Sequence, residues 1–353
     1  MPLTDAAFAR RVLIAVAIVV AALGLWHLRS VLLLFFAASL VAVLLTALSG
    51  LIRRLLPIGH GAGLALALAL VMAVVGLAAY LFGAEVERQF RDLAARLPGA
   101  LEQAEQWLLQ AGLRDDALDM LRRAAPTPGA VVDFVSGAFS ILSGVVSGVG
   151  LAIVGGIYLA VEPRMYREGL LRLWPAHQRA AARETIQAAS RALRSWLQGQ
   201  LFAMVVIGTL SALGLWLIGM PSWLALGLIA GIVQFVPLAG PILAAIPALL
   251  VALSQGPDML LWVVLLYVGI QQLEGNLLTP MVQREVSALP PALTIFTLVT
   301  FALLFGAVGV VLAVPLTVVG YALVAKLWVR DTLGEPVRLP GEKSAVRRDA
   351  RAL

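Results

Sequence analysis

Long apolar runs separated by short polar breaks organise this chain, and each run reads as a helix. The first extends from about Arg11 to Trp26. A turn at His27, Arg29 and Ser30 leads into a second, Val31 to Leu51, which ends at Arg53, Arg54 and Pro57. Gly59, His60, Gly61 and Gly63 are expected to break the chain before a third run, Leu64 to Phe82. These N-terminal helices occupy residues 1–84. Residues 85–130 are polar, with Val86, Phe90, Leu93 and Leu97 at helical spacing, and read as an amphipathic segment. A fourth transmembrane run, 131–161, is rich in small residues. Ser143 and Ser147, like Gly144 and Gly148, stand four apart, the spacing that lets helix backbones touch in lipid. Residues 162–199 turn polar again. Ile186, Ala189, Leu193, Trp196 and Leu197 share one helical face, so this segment reads as a basic helix on the membrane interface. From 200 to 328 the chain is almost continuously apolar, and the charged tail 329–353 reads as disordered.

Two stretches within 200–328 are too long for one crossing, which takes about 20 residues. Ser222 to Leu253 is interrupted by Pro237, Gly240 and Pro241. The stretch that Pro290 opens, running to Leu327, is interrupted by Gly306, Gly309 and Pro315. Pro221 and Pro290 are 69 residues apart, as are Gly240 and Gly309, and each stretch follows one ordinary helix. Broken segments in corresponding places are the sequence pointer to a transporter built from repeats. Two readings stay open here. One is a pair of re-entrant hairpins in opposite orientations; the other is two kinked spans with chance Gly and Pro matches. Either gives an all-α, polytopic membrane protein with seven to eight helical membrane elements, two of them broken or re-entrant.

Composition removes the competing classes. The chain is 61% hydrophobic and 13% charged, against about 25% charged in soluble domains, so the bilayer must be its solvent. A β-barrel would show short alternating segments, which this chain lacks. The net charge of +6 does not indicate nucleic acid. Its arginines gather at helix ends and in 162–199, where seven arginines face three glutamates. That is the positive-inside pattern, and it places 162–199, Arg53, Arg54 and the tail in the cytoplasm. Cysteine is absent, which excludes disulfides and thiol catalysis. H-E-x-x-H, G-x-S-x-G and the phosphate-binding loop are also missing, so neither an enzyme, a metal site nor a cofactor is expected.

Polar residues at membrane depth are then the candidate chemistry. Gln234 stands three residues before Pro237, which cannot donate a backbone hydrogen bond and should free carbonyls near position 233. Gly240 permits close approach or a sharp turn, and Pro241 follows it. Freed carbonyls plus an amide side chain could hold a cation or polar solute; Gln234 capping a turn is the alternative. Glu274 is the only acid between Asp258 and Glu285, set among Gln271, Gln272 and Asn276, with Pro280 beyond. Partly desolvated among amides, it is a candidate proton carrier; an interfacial glutamate facing water is the alternative. Pro221, Pro280, Pro290, Gly306, Gly309 and Pro315 are candidate hinge and hairpin positions.

These residues carry a family resemblance. From Pro163 to Leu327 the chain resembles the autoinducer-2 exporter family of bacterial inner-membrane proteins. The likeness rests on Gln234-Phe235-Val236-Pro237 with Gly240 and Pro241, on Gln271-Gln272-Leu273-Glu274-Gly275-Asn276 with Pro280, on Gly306 and Gly309, and on Ala313-Val314-Pro315-Leu316. Family members often have His-Pro where this chain has Leu289-Pro290, so no role for that histidine carries over. The resemblance implies a multi-pass permease that exports a small polar solute or exchanges cations for protons. It also implies a homo-oligomer, with a pentamer as one form. Residues and resemblance together give a secondary transporter, with a cation/proton antiporter using Glu274 as one rival. A non-transporting membrane scaffold working through 85–130 is the other.

Overall fold

The computed structural model describes residues 5–74, 76–77, 80, 150–278 and 289–342, and every element among them is helical. Helix α1 (Asp5–His27) is followed after one residue by α2 (Arg29–Leu55). The Arg29 guanidinium lies 4.2 Å from the centroid of the Trp26 ring across this junction. Helix α3 (His60–Val74) begins earlier than its glycines suggested. Gly61 and Gly63 lie inside it, and the break is confined to the residues around Pro57. Gly63 serves packing instead: a Cβ there would come within 2.8 Å of the side chains of Ser49 and Arg53. Helix α4 (Gly150–Val161) closes the N-terminal group. Its Gly156 abuts Val41, and Ala42, Leu45, Leu64, Ala67 and Ala160 form a shared core. The amphipathic segment 85–130 and the Ser143–Gly148 seam lie outside the described residues.

Helix α5 (Pro163–Arg172) starts with proline in its first turn, where no donor is lost. A single 3₁₀ turn (Ala176–Gln178) leads into α6 (Arg179–Leu217). The helix runs without interruption through Gly199 and Gln200, where packing on both sides outweighs the roughly 1 kcal/mol helix cost of a glycine. At roughly 1.5 Å per residue α6 is about 58 Å long, far more than the roughly 30 Å hydrocarbon core. Its apolar half after Gln200 suits the membrane; the arginine-rich half projects beyond it. The face expected to lie on the interface packs on protein instead. Leu193, Trp196 and Leu197 are buried with Leu40 of α2 and with Leu312, Val314, Val318 and Ala322 further on.

The second half of the chain is built on α6. Helix α7 (Trp223–Val233) crosses it with backbones in contact. A Cβ at Gly231 would lie 2.9 Å from the Met204 carbonyl oxygen and 3.2 Å from Gly208 Cα, and one at Gly227 would collide with Ala212. Gly208 and Ala212, like Gly227 and Gly231, are four apart, so two small-xxx-small ridges interlock. The chain breaks at Gln234–Leu238 and folds back as α8 (Ala239–Gln255) against α7. Pro241 falls in the first turn of α8 and does not interrupt it. Helix α9 (Pro257–Leu273) follows Gly256. Leu215, Leu226, Ile229, Ala248, Ala252 and Val263 seal the core between α6, α7, α8 and α9.

Helix α10 (Pro291–Val324) is capped by Pro290 and contains one break. It falls at Gly306, whose φ of 62° and ψ of −144° suit only glycine. Beyond it, a Cβ at Gly309 would collide with the carbonyl oxygen of Phe301, eight residues earlier. An unbroken helix would hold those positions about 12 Å apart, so the chain reverses at Gly306. Pro315 is buried in the second arm without breaking it, contrary to expectation. A π-helical turn (Ala325–Arg330) then sends the tail back onto α6. Residues 331–342 are not a disordered tail. Val337 and Leu339 pack on Ala188 and Ala325, Lys326 bridges Glu184 (3.3 Å) and Asp331 (2.8 Å), and Arg330 holds Glu342 at 2.9 Å.

Among the described residues, three stretches are long and apolar enough to cross a membrane by length and composition: Arg29–Leu55, Ala176–Leu217 and Pro291–Arg330. Shorter apolar helices accompany them. Large side chains such as Leu23, Phe35, Trp262, Phe296 and Leu303 stand exposed along these helices, as contact with lipid requires.

The seam makes a first prediction. Gly227→Val should lower the unfolding temperature by an amount equivalent to about 1–3 kcal/mol of overpacking, and a paired Ala212→Gly should recover much of it in thermal melts. The tail makes a second. Burial pushes the Glu342 carboxyl up, but the Leu339 amide and the Arg330 guanidinium outweigh it and hold the carboxyl below the ordinary glutamate value. A carboxyl held low stabilises the docked tail fully above its undocked value and loses that contribution as pH falls through the docked one. Hydrogen exchange at 331–342 should therefore accelerate on acidification, and Glu342→Gln should remove that pH dependence.

Candidate functional site

The break between α7 and α8 releases backbone groups inside an apolar core. Gln234 N–H still donates to Ala230 O, and Val236 N–H to Val233 O. The carbonyl of Gln234 has no such partner, and the side-chain Nε2 of Gln200 on α6 donates to it. The freed carbonyl is thus one residue beyond the position expected from Pro237, and a buried amide satisfies it. Leu238 adopts φ 69°, ψ −47°, an unfavourable conformation for a branched side chain. Gly240 supplies close approach: a Cβ there would lie 2.5 Å from the Val233 carbonyl oxygen and 2.9 Å from Gln234 Cα. Phe235 anchors the turn edge-on against Trp196 of α6, with ring centroids 5.7 Å apart.

The turn aims the Gln234 side chain at α9. Its Nε2 donates to Glu274 Oε1 at 2.6 Å, a short hydrogen bond. Gln234 is only 2% exposed and Glu274 is half-buried. Glu274 opens a π-helical turn, Glu274–Leu278, that widens the end of α9. Such turns re-aim side chains and gather at functional positions. Two helical turns earlier, on the same face, Tyr267 buries its hydroxyl. Neither that hydroxyl nor Gln234 Oε1 has a hydrogen-bond partner among the described residues. Both atoms are buried, and Tyr267 packs with Val233 and Leu266 on the core between the helices.

The structure therefore joins Gln234 to Glu274 across 40 residues of sequence and places Pro237 in the turn that positions them, with Gly240 and Pro241 in the first turn of α8 just beyond it. It does not bring in Gln271, Gln272 or Asn276. These are exposed on the outer face of α9, where Asn276 Nδ2 donates to Gln272 Oε1 at 3.2 Å. Pro221 and Pro290 stand at helix entrances, Gly306 at the second break, and Pro280 lies outside the described residues. Two members of the cluster were not among the sequence candidates. Gln200 marks where the polar segment meets the apolar run. Tyr267 stands seven residues before Glu274, so helical spacing alone would have placed both on one face.

A backbone broken inside apolar helices around buried amides and a carboxylate defines a helical membrane protein with a polar interior, the class to which transporters belong. The chain belongs to the AI-2E family of transporters, whose model matches residues 14–328. Similar chains include YrrI of Bacillus subtilis, 30% identical over 162 residues, 46% of either chain. MT0215 of Mycobacterium tuberculosis is 27% identical over 324 residues, 88% of this chain and 87% of that one. The AI-2 transport protein TqsA of Escherichia coli is 26% identical over 257 residues, covering 71% and 72%. The match thus spans about half the length of YrrI.

Gln200→Met keeps the volume and removes the donor to the Gln234 carbonyl. It should cost about 1–3 kcal/mol, the penalty of an unpaired buried acceptor, measured by thermal unfolding in detergent. Gln198→Met, at an exposed position two residues away on the same helix, should leave the melt unchanged.

Proposed function

We propose that the chain is a secondary transporter for a small polar solute, with a pathway that runs past Gln234 and Glu274. The observation that carries this reading is the Gln234–Glu274 hydrogen bond at a helix break, beside two buried polar atoms with no partner among the described residues. An unpaired buried polar group costs about 1–3 kcal/mol, and a passing solute or water file can relieve that cost. Gln234 and Tyr267 offer the solute an acceptor and a hydroxyl, while Glu274 offers charge. TqsA carries the name of an AI-2 transport protein, which supports small-solute transport as the activity to test first.

The two broken stretches form re-entrant hairpins in this proposal, each preceded by a long helix: α6 before α7–α8, and α9 before the two arms of α10. Their turns at Gln234–Leu238 and Gly306 support it. Exposed amides at Gln271, Gln272 and Asn276 cannot face hydrocarbon comfortably. They are assigned to an aqueous vestibule or to a second copy of the chain in a homo-oligomer of the bacterial inner membrane.

Proton-coupled cation exchange is the second reading, favoured by Glu274 because it places an ionisable group at the break. Flux in proteoliposomes under imposed proton and sodium gradients separates the two readings. Gln234→Leu should reduce flux by about tenfold or more, since hydrogen bonds to charged groups contribute roughly 1.5–3 kcal/mol. Glu274→Gln keeps size and hydrogen bonding but cannot titrate. Its flux should become independent of pH while the melt stays that of the wild type. Unchanged pH dependence would leave Glu274 as a structural partner of Gln234 and remove it from coupling.

A further inference from the structure

A small recess lies between the last turn of α2 and the projecting half of α6, away from the Gln234 cluster. Ala47, Gly50, Leu51 and Arg54 form one wall; Arg194 and Gln198 form the other. Gly50 and Arg54 are one turn apart on α2, as are Arg194 and Gln198 on α6, so two guanidinium groups face the same space from different helices. A Cβ on Gly50 would lie 3.5 Å from the Arg194 guanidinium, so any larger residue there would fill the recess.

The charges in this recess are unbalanced. Neighbouring arginines are engaged: Arg53 donates to Ile58 O, Arg179 to Trp174 O, and Arg183 pairs with Glu168 at 3.0 Å. Arg54 and Arg194 have neither a carboxylate nor a hydrogen-bond partner among the described residues. Two like charges held by separate helices over one recess are stabilised by an anion between them. The recess has an apolar side as well, where Leu51 is 56% exposed. Helix α2 is 27 residues long. That is about 40 Å, against roughly 30 Å of hydrocarbon, so its terminal turn reaches the headgroup layer.

We infer that this recess binds the phosphate of an anionic phospholipid. Arg54 and Arg194 pair with the phosphate oxygens, Gln198 adds a donor, and an acyl chain lies along Leu51. Arginine suits this role because its planar fork matches phosphate oxygens. The lipid would tie the N-terminal helices to the long helix that carries Gln200.

The test uses the full-length protein in detergent, with bound phosphatidylglycerol or phosphatidylcholine counted by native mass spectrometry. Wild type should retain phosphatidylglycerol in preference to phosphatidylcholine. The double variant Arg54→Gln/Arg194→Gln should lower that retention on the order of tenfold or more, given two interfacial charges. Arg164→Gln/Arg172→Gln makes the same charge change at exposed positions elsewhere and should retain lipid as the wild type does. Gly50→Leu fills the recess with both charges intact and should also lose the lipid. Equal loss in both arginine pairs, or no preference over phosphatidylcholine, would overturn the site. Displacement of phosphatidylglycerol by millimolar inorganic phosphate would reassign the recess to a soluble phosphate and overturn the lipid assignment. The arginine contrast decides the matter even where Gly50→Leu fails to fold, because all four arginines are exposed.

Discussion

A backbone that breaks inside an apolar protein must find partners for the groups it releases, and here one residue concentrates that demand. Gln234 ends α7, and its carbonyl accepts from Gln200 while its side chain donates to Glu274. Three separate stretches of chain, α6, the α7–α8 turn and α9, are thereby held to one position. Water is a poor competitor in such surroundings, so each bond is electrostatically stronger than it would be at a surface. The same enclosure makes any missing partner expensive. The glycine seam between α6 and α7 and the Trp196–Phe235 contact bring the turn within reach of Gln200, so packing precedes and permits the polar arrangement.

The two breaks in the second half solve one geometric problem by different chemistry. The first turns through Pro237, a strained Leu238 and a tightly packed Gly240, and it is stabilised by side-chain amides. The second turns at a single glycine, Gly306, between the Phe301–Phe305 ring pair and the close approach of Gly309. Equal spacing of Pro221 and Pro290, and of Gly240 and Gly309, therefore marks a shared layout. It does not mark shared chemistry. Polar capability is concentrated at the first break, and the second is apolar around its turn.

Much of this layout was legible in the sequence because apolar length and proline position act locally. An apolar stretch longer than a bilayer is thick must bend, and Pro237 and Gly306 stand where it does. Gln234 and Glu274 were visible as polar residues in the wrong solvent, but their pairing was not, since 40 residues of sequence carry no register between helices. Gln200 escaped notice because it looks like the boundary of a polar segment. Only the uninterrupted course of α6 shows that it lies inside. Pro315 misled for the opposite reason: a proline inside a helix can be accommodated when neighbouring helices enclose it. The tail misled through its charge. Its charges resemble a solvated end, yet Arg330, Asp331 and Glu342 are held in ion pairs, and Lys326, the partner of Asp331, also reaches Glu184 of α6.

The continuity of α6 carries a consequence for how this chain can vary. Glu184 meets Lys326 near one end of the helix, and Gln200 meets the Gln234 carbonyl sixteen residues further along. No proline lies between them, and the helix continues through Gly199 without a break that could absorb a change. Each residue added or removed in that interval rotates everything beyond it by about 100°, which would carry Gln200 off the core and put an apolar neighbour against an orphaned carbonyl. Exposed side chains of this interval outside the Arg194–Gln198 recess are free to drift, but their number is not. The arginine-rich half of the helix is thereby held to a fixed length, as the spacer that keeps two distant contacts in phase.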